Sequence, residues 1–342
     1  MSHVLFITRK LRGKGGMQQY TQDLLVAFQE ITGGNTVLLG PRRLLQYPSF
    51  PFLALWRGVH AARRGYRVHL GDMALSPLAV AIKFFIPGAK ITATASGLDV
   101  LRTLPLYQWM LRRSLPSLDR VICISHATAD AVYARGVLRG KIVVIPCGIW
   151  MGADECVRRG KRGEPRLLTV GRLVPRKGVA WFLSEVLPLL LQEYPHLHYT
   201  VVGTGPHEKL IKKVVHEKGL EDAVTLAGAV SDERRNQLLK ESDCFVVPNV
   251  PREADMEGFG IVCIEASSRG VPVVAARLEG LTEAVQEGET GLFFQTGNAK
   301  ECVQCIRSVL TQPPDPLSVA RCTREHYSWP QLLPRLRDAL LS

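Results

Sequence analysis

The sequence predicts an α/β chain built as two consecutive parallel-sheet domains. Short apolar runs rich in Val, Ile and Leu recur along the 342 residues, as strands buried on both faces require. Stretches of helical periodicity separate these runs. The alternation fills the first 150 residues, breaks at a polar, Gly-containing stretch, and then starts again. Such a pattern places helices on both faces of each sheet, the Rossmann-like, doubly wound arrangement.

HVLFIT (3–8) reads as the first strand, followed by a Gly-containing loop and the helix opening GMQQYTQDLLVAF. TVLLG (36–40), YRVHL (66–70) and KITATAS (90–96) continue the set. DRVICIS (119–125) precedes the helical HATADAVYAR, and KIVVIPCG (141–148) closes it. The second set is PRLLTVG (165–171), LHYTVVG (197–203), AVTLAG (223–228), CFVVPN (244–249) and VPVVAA (271–276), with DERRNQLLKES and IVCIEASSRG as helices between. The expected domains are therefore 1–150 and 166–318, joined by the linker MGADECVRRGKRGEP over 151–165. Residues 319–342 form a helical tail, amphipathic over HYSWPQLLPRLRDALL (326–341).

With 46% hydrophobic and 22% charged residues the chain can bury a core, which excludes wholesale disorder. No uncharged apolar run reaches the roughly 18 residues of a transmembrane helix. The opening MSHVLFITRKLRGKGG lacks the charge, apolar stretch and cleavage site of a signal peptide, in that order. Eight scattered Cys fit reduced thiols, and a cytoplasmic location is expected.

The net charge of +12 is unevenly placed. Residues 1–150 hold 19 Lys and Arg against 6 Asp and Glu, whereas residues 151–342 hold 24 against 25. The first half thus calls for an anionic partner, and nucleic acid, an anionic membrane and a phosphorylated substrate all have the right sign. PRRLLQYPSFPFLALWRGVHAARR (41–64) interleaves Arg42, Arg43, Arg57, Arg63 and Arg64 with Leu44, Tyr47, Phe50, Phe52, Leu53 and Trp56. Cations beside aromatics and leucines suit an anionic membrane surface. A sheet-packed helix with snorkelling arginines would show the same pattern. Nucleic acid is the weaker reading, because no nucleic-acid module accompanies the charge.

Ligands of open parallel sheets bind beyond the carboxyl ends of the strands, and the informative residues follow strands here. After RLLTV comes Gly171-Arg172-Leu173-Val174-Pro175-Arg176-Lys177-Gly178, entering a helix near Val179. Arg172, Lys177 and that helix start suit a diphosphate. After CFVVP come Asn249 and then Glu257-Gly258-Phe259-Gly260-Ile261-Val262-Cys263-Ile264-Glu265-Ala266. A helix starting near Gly260 would carry Glu265 and leave Glu257 in the preceding loop. Gly258 and Gly260 permit close backbone approach, and an ionised Glu accepts several hydrogen bonds, as hydroxyl recognition needs. Cys302, Cys305, Cys322 and His326 resemble a zinc inventory only superficially, because AKECVQCIRSVL reads as a helix without knuckle turns. No metal site is predicted.

VGRLVPRKG, VVGTGP, VVPN, DMEGFGIVCIEASSRGVPVVA and EAVQEGETG, in this order, resemble the family-4 retaining glycosyltransferases with the GT-B fold. The resemblance is strongest over about residues 165–310 and is nearest to phosphatidylinositol mannosyltransferase-like and lipopolysaccharide-type members. It implies two Rossmann-like domains facing each other across a cleft, with the C-terminal helix within 319–342 crossing back to the first domain. It also implies a UDP- or GDP-linked sugar donor held by the second domain. Arg172 and Lys177 then match the pair that neutralises the diphosphate, Glu265 the residue that grips the ribose, and Glu257 the residue that contacts sugar hydroxyls. The N–H groups of Phe259, Gly260 and Ile261 would lie near the sugar or phosphates, and Gly203 and Gly205 near the base. Gly15 and Gly16 match the loop that approaches diphosphate and acceptor, Ser96 and Asp99 belong to the acceptor side, and Glu283 matches a further family position.

The implied reaction transfers a hexose, with retention, to a hydroxyl of a glycan, a lipopolysaccharide core or a lipid-linked acceptor. Arg172, Lys177 and Glu257 are its catalytic candidates. Neither metal nor cofactor is implied, because preorganised cations stabilise the leaving diphosphate. The place of work would be the cytoplasmic face of the inner membrane, with peripheral attachment.

Three motifs depart from the family pattern. Ser96 stands where HG-x-D has its histidine, Ile145-Pro146-Cys147-Gly148-Ile149-Trp150 replaces IPNG-x-D, and Glu279-Gly280-Leu281-Thr282-Glu283 replaces GG-x-x-E. A nucleotide-sugar epimerase and a non-catalytic nucleotide-binding partner are the alternatives on this fold, and turnover separates the three.

Overall fold

The structure is a computed structural model that describes residues 3–9, 15–41, 49–150 and 164–341. Most of the expected linker, residues 151–163, lies outside the described residues, as do Arg42, Arg43, Leu44 and Tyr47. The chain divides into two compact units, one of residues 1–150 with 327–342, the other of residues 151–326.

The first unit contains β1 (Val4–Ile7), β2 (Thr36–Leu39), β3 (Arg67–Leu70), β4 (Ile91–Ala95), β5 (Arg120–Cys123) and β6 (Ile142–Val144). They form one parallel sheet in the order β2-β1-β3-β4-β5-β6. The second unit contains β7 (Arg166–Val170), β8 (His198–Val202), β9 (Val224–Gly228), β10 (Cys244–Val247), β11 (Val273–Ala276) and β12 (Gly291–Phe294). Its parallel sheet runs β12-β11-β10-β7-β8-β9. All residues of β1, β10 and β11 are buried, which is why these segments read as unbroken apolar runs.

The strands end sooner than the apolar runs do. CFVVPN stops pairing at Val247 and KIVVIPCG at Val144, because both runs meet a proline that cannot donate to a ladder. The edge strand β12, GLFF, was not expected. In the second unit the helix after the β7 loop widens to a π turn at Phe182–Val186, next to Pro188, whose ring nitrogen cannot donate.

Strand order reverses between β1 and β3 in the first sheet and between β7 and β10 in the second. At such a point neighbouring loops leave toward opposite sides and open a crevice at the strand ends. The last helix, Trp329–Leu341, belongs to the first unit. Its Trp329 is fully buried, with ring centroids 6.3 Å from Tyr20 and 6.1 Å from Trp150. Arg67 Nη1 donates to the Leu340 carbonyl at 3.0 Å.

Candidate functional site

The loops after β7 and β10 meet at the second unit's switch point. Gly178 adopts φ 64°, and a Cβ there would lie 1.7 Å from the Pro248 carbonyl oxygen. Only glycine lets the two loops touch this way. Val250 N–H also donates to the Arg176 carbonyl at 2.8 Å. The loop after β8 joins them: a Cβ on Gly203 would lie 1.8 Å from the Gly171 oxygen, and one on Gly205 would lie 2.2 Å from the Leu173 oxygen. Both glycines expected near a base are thus required by chain packing around the β7 loop.

Glu257 is the centre of the charge arrangement. Its Oε2 is ion-paired with both Arg176 Nη1 and Lys177 Nζ. The same oxygen accepts a hydrogen bond from Asn249 Nδ2 at 2.9 Å. Arg176 also reaches Asp255 Oδ1 through Nε at 2.9 Å. Burial pushes the Glu257 carboxyl up, but Lys177 and Arg176, with the Lys177 and Asn249 hydrogen bonds, outweigh it and hold the group at about 2. Glu257 is therefore a carboxylate at neutral pH and only accepts hydrogen bonds. Asn249 Oδ1 is buried without a hydrogen-bond partner among the described residues.

The Glu257 N–H donates to Glu279 Oε2 at 2.5 Å. Glu279 occupies the left-handed region at φ 46°, where a side chain costs about 1–2 kcal/mol. It stands where the family motif has its first glycine, and its carboxylate returns a bond that glycine cannot make. Gly280 behind it is packed against Gly258, whose oxygen would be 2.3 Å from an added Cβ.

Gly260, at φ 88°, caps the helix Ile261–Ser267. A Cβ on it would strike Leu281, so this glycine too has a packing reason. Phe259 is buried. Glu265 lies on the short helix, apart from the Glu257 cluster, with Arg235 Nη1 at 4.0 Å. Burial raises its pKa against the opposing pull of Arg235 and Arg269. Arg235 Nε and Asn236 Oδ1 are buried polar atoms without hydrogen-bond partners among the described residues. Arg172 is exposed at the end of β7 and makes no side-chain ion pair among them. The structure thus joins Lys177 to Glu257 and adds Arg176, Asn249, Asp255 and Glu279, which sequence reasoning did not assign to the site.

In the first unit the predicted residues also sit at strand ends. Gly15 and Gly16 are exposed at the start of the helix Gly16–Thr32. Ser96 is buried after β4, and its N–H donates to Asp99 Oδ1 at 2.9 Å. Asp99 Oδ2 accepts from Met73 N–H at 3.2 Å, tying the β4 loop to the β3 loop. Beside it Arg9 bridges the switch point to buried Asp72 at 2.9 Å. Glu283 lies on the short helix Leu281–Ala284 of the second unit. Cys302 faces the second unit's core, while Cys322 and His326 contact each other within one helix.

Residues 27–150 match the model of Glycosyltransferase Family 4, and residues 157–326 match Glycosyl transferases group 1. The chain is 30% identical over 278 residues to a phosphatidyl-myo-inositol mannosyltransferase of Propionibacterium freudenreichii subsp. shermanii, spanning 79% of this chain and 68% of that protein. It is 28% identical to a GDP-mannose-dependent alpha-(1-6)-phosphatidylinositol monomannoside mannosyltransferase of Mycobacterium tuberculosis, over 78% and 74% of the two chains. The fold matches Anabaena Alr3699/HepE, solved in complex with UDP, with TM-score 0.76 at 17% identity over 99% of each chain. It also matches the lipopolysaccharide outer core galactosyltransferase WaaB, with TM-score 0.73 at 14% identity over 99% of each chain. With both halves matched by family models, paired Rossmann-like sheets and an extended curated relative, the chain belongs to the family-4 glycosyltransferases of GT-B fold and is a glycosyltransferase enzyme.

Proposed function

We propose that this enzyme moves a hexose from a UDP- or GDP-linked donor to a hydroxyl of a glycan, lipopolysaccharide core or lipid-linked acceptor, retaining anomeric configuration. The reading rests on the buried Lys177–Glu257–Arg176–Asn249 cluster at the switch point of the second sheet. A nucleoside diphosphate leaves with developing negative charge. Lys177, held within the cluster, and Arg172 at the loop edge supply cations for it, which is electrostatic stabilisation without a metal. Glu257 stays ionised, so it accepts hydrogen bonds from sugar hydroxyls and donates no proton. That assignment favours transfer over an epimerase, which needs a carboxyl or imidazole able to exchange protons. The acceptor's proton then passes to a leaving phosphate oxygen.

Glu265 would take the ribose hydroxyls, with the unfilled hydrogen-bonding atoms of Arg235 and Asn249 as further places for donor polar groups. The phosphoinositide-acting relatives support a lipid-linked acceptor and a GDP donor, and the UDP complex of the structural neighbour supports the other base. No helix among the described residues is long and apolar enough to cross a membrane. The proposed place of work is the cytoplasmic face of the inner membrane, with peripheral attachment.

Calorimetric titration with UDP, GDP and ADP tests the donor site. One nucleotide should bind saturably, and Arg172→Ala/Lys177→Ala should weaken it by at least about tenfold, since each charged hydrogen bond contributes about 1.5–3 kcal/mol. A folded protein that binds none of the three would refute the donor site and leave the non-catalytic partner.

A further inference from the structure

Three neighbouring helices cover one face of the first sheet: Phe50–Arg63, Pro77–Phe85 and Pro105–Ser114. Their inner stripes enter one core, through Ala54, Ile82 and Leu111 among others. Their outer stripes are apolar as well. Phe52, Trp56, Phe84, Phe85, Leu106 and Trp109 are each between 53% and 80% exposed. An open cavity of about 420 Å³ lies between the second and third helices, walled by Phe84, Phe85 and Trp109. Contiguous apolar surface of this kind on a soluble unit marks a partner's place.

The charge on the same helices identifies the partner. None of the three contains Asp or Glu, and together they carry Arg57, Arg63, Lys83, Arg112 and Arg113. Arg57 lies 5.1 Å from the Trp56 ring centre and Arg113 lies 5.6 Å from that of Trp109. Lys83 is engaged by Asp119 at 2.9 Å, which leaves the arginines as the cations of the face. Aromatics that extend outward, with guanidinium groups at their base, match the acyl boundary and the headgroup phosphates of a bilayer. A second copy of this chain would set one strongly positive unit against another, and like charges repel. A nucleic acid would answer the charge and leave the Phe and Leu side chains in water.

We infer that this three-helix face docks on an anionic phospholipid bilayer, with Phe52, Phe84 and Leu106 entering the acyl boundary and Arg57, Arg112 and Arg113 meeting lipid phosphates. The inference rests on the peripheral attachment proposed above and gives it a location. It extends the aromatic and basic string at 41–64 to two helices that the sequence did not single out.

Co-sedimentation of the full chain with vesicles, without nucleotide, tests it. The protein should bind phosphatidylcholine vesicles containing phosphatidylglycerol at least about tenfold more tightly than phosphatidylcholine alone. Phe52→Ser/Phe84→Ser/Trp109→Ser should weaken that binding by at least about tenfold, and Arg57→Gln/Arg112→Gln/Arg113→Gln should abolish the preference for anionic vesicles. As these side chains are exposed, both variants should keep their thermal midpoint and their nucleotide affinity, so loss of the donor site is read separately. Bromine-labelled acyl chains should also quench the tryptophan fluorescence of the unmutated protein, whatever the variants do. Equal binding to both vesicle types, no quenching, or undiminished binding by a folded aromatic variant would overturn the inference. So would a dimer that the aromatic variant dissolves in the absence of vesicle binding, since the face would then belong to a second copy.

Discussion

Glu257, proposed to contact the donor sugar, also carries a stabilising role that its contacts make plain. Two cations and an amide converge on a single oxygen of its carboxylate. Held at about 2 instead of 4.5, the group favours the folded state wherever the unfolded chain would still bind a proton. That stabilisation is present above about pH 4.5 and is lost as pH falls toward 2. It amounts to about 3 kcal/mol at about 1.4 kcal/mol per pKa unit. Glu257→Gln should therefore lower stability by about 3 kcal/mol at neutral pH, because Lys177 stays buried without its anion. It should also flatten the loss of stability between about pH 4.5 and 2. Equilibrium unfolding of both proteins across that range checks the slope. A variant that loses stability with acid as steeply as the parent would place the titrating group elsewhere.

At the scale of elements, the loops after β7, β8 and β10 form one body because glycines let their backbones touch. Gly203 adopts φ 135° with its absent Cβ 1.8 Å from a carbonyl oxygen, whereas Gly219, at φ 62°, has open space around it. Gly203→Ala should cost more than 3 kcal/mol, since backbone must move as well as twist, and should remove nucleotide binding. Gly219→Ala should cost about 1 kcal/mol and leave binding intact. Thermal melts and nucleotide titration of the pair separate strain from steric conflict. The same loops mark where the sequence was legible. The apolar runs announced eleven strands, whereas β12, as short and as apolar as several of them, was passed over. Lys177, Glu257 and Glu265 could be singled out from sequence because their motifs are contiguous, and the structure pairs the first two. Arg176 and Asn249 were named in their motifs but given no role, because their partner lies 81 and 8 positions away and pairing across a switch point has no local signal. Gly203, Gly205 and Gly260 were recognised as special positions, but the reason visible in the structure is packing. Glu279 read as a departure from a glycine motif, and only its hydrogen bond to Glu257 explains it.

Across the whole molecule the chain leaves the first unit at Trp150, builds the second, and returns at Tyr327. The returning helix is part of the first unit's core. Trp329 packs on Tyr20 and Trp150, and a Cβ on Gly148 would come within 2.6 Å of its ring. Ile149 N–H donates to the Tyr327 carbonyl at 2.9 Å, and Arg335 reaches the Val144 carbonyl at 2.7 Å. The tail is thus adjacent in sequence to the second unit but energetically a piece of the first. Removing so large a buried aromatic costs about 3–5 kcal/mol. Trp329→Ala should therefore loosen the first unit alone. Hydrogen exchange should speed up in peptides covering β1, β5 and the helix Gly16–Thr32, while those covering β7, β10 and the helix Ile261–Ser267 keep their protection. Nucleotide affinity, which the second unit is proposed to carry, should stay within about twofold, because Trp329 belongs to the compact body of the first unit. Faster exchange spread equally over both units would mean that they unfold as one cooperative body, and the tail's stability would then be shared by both.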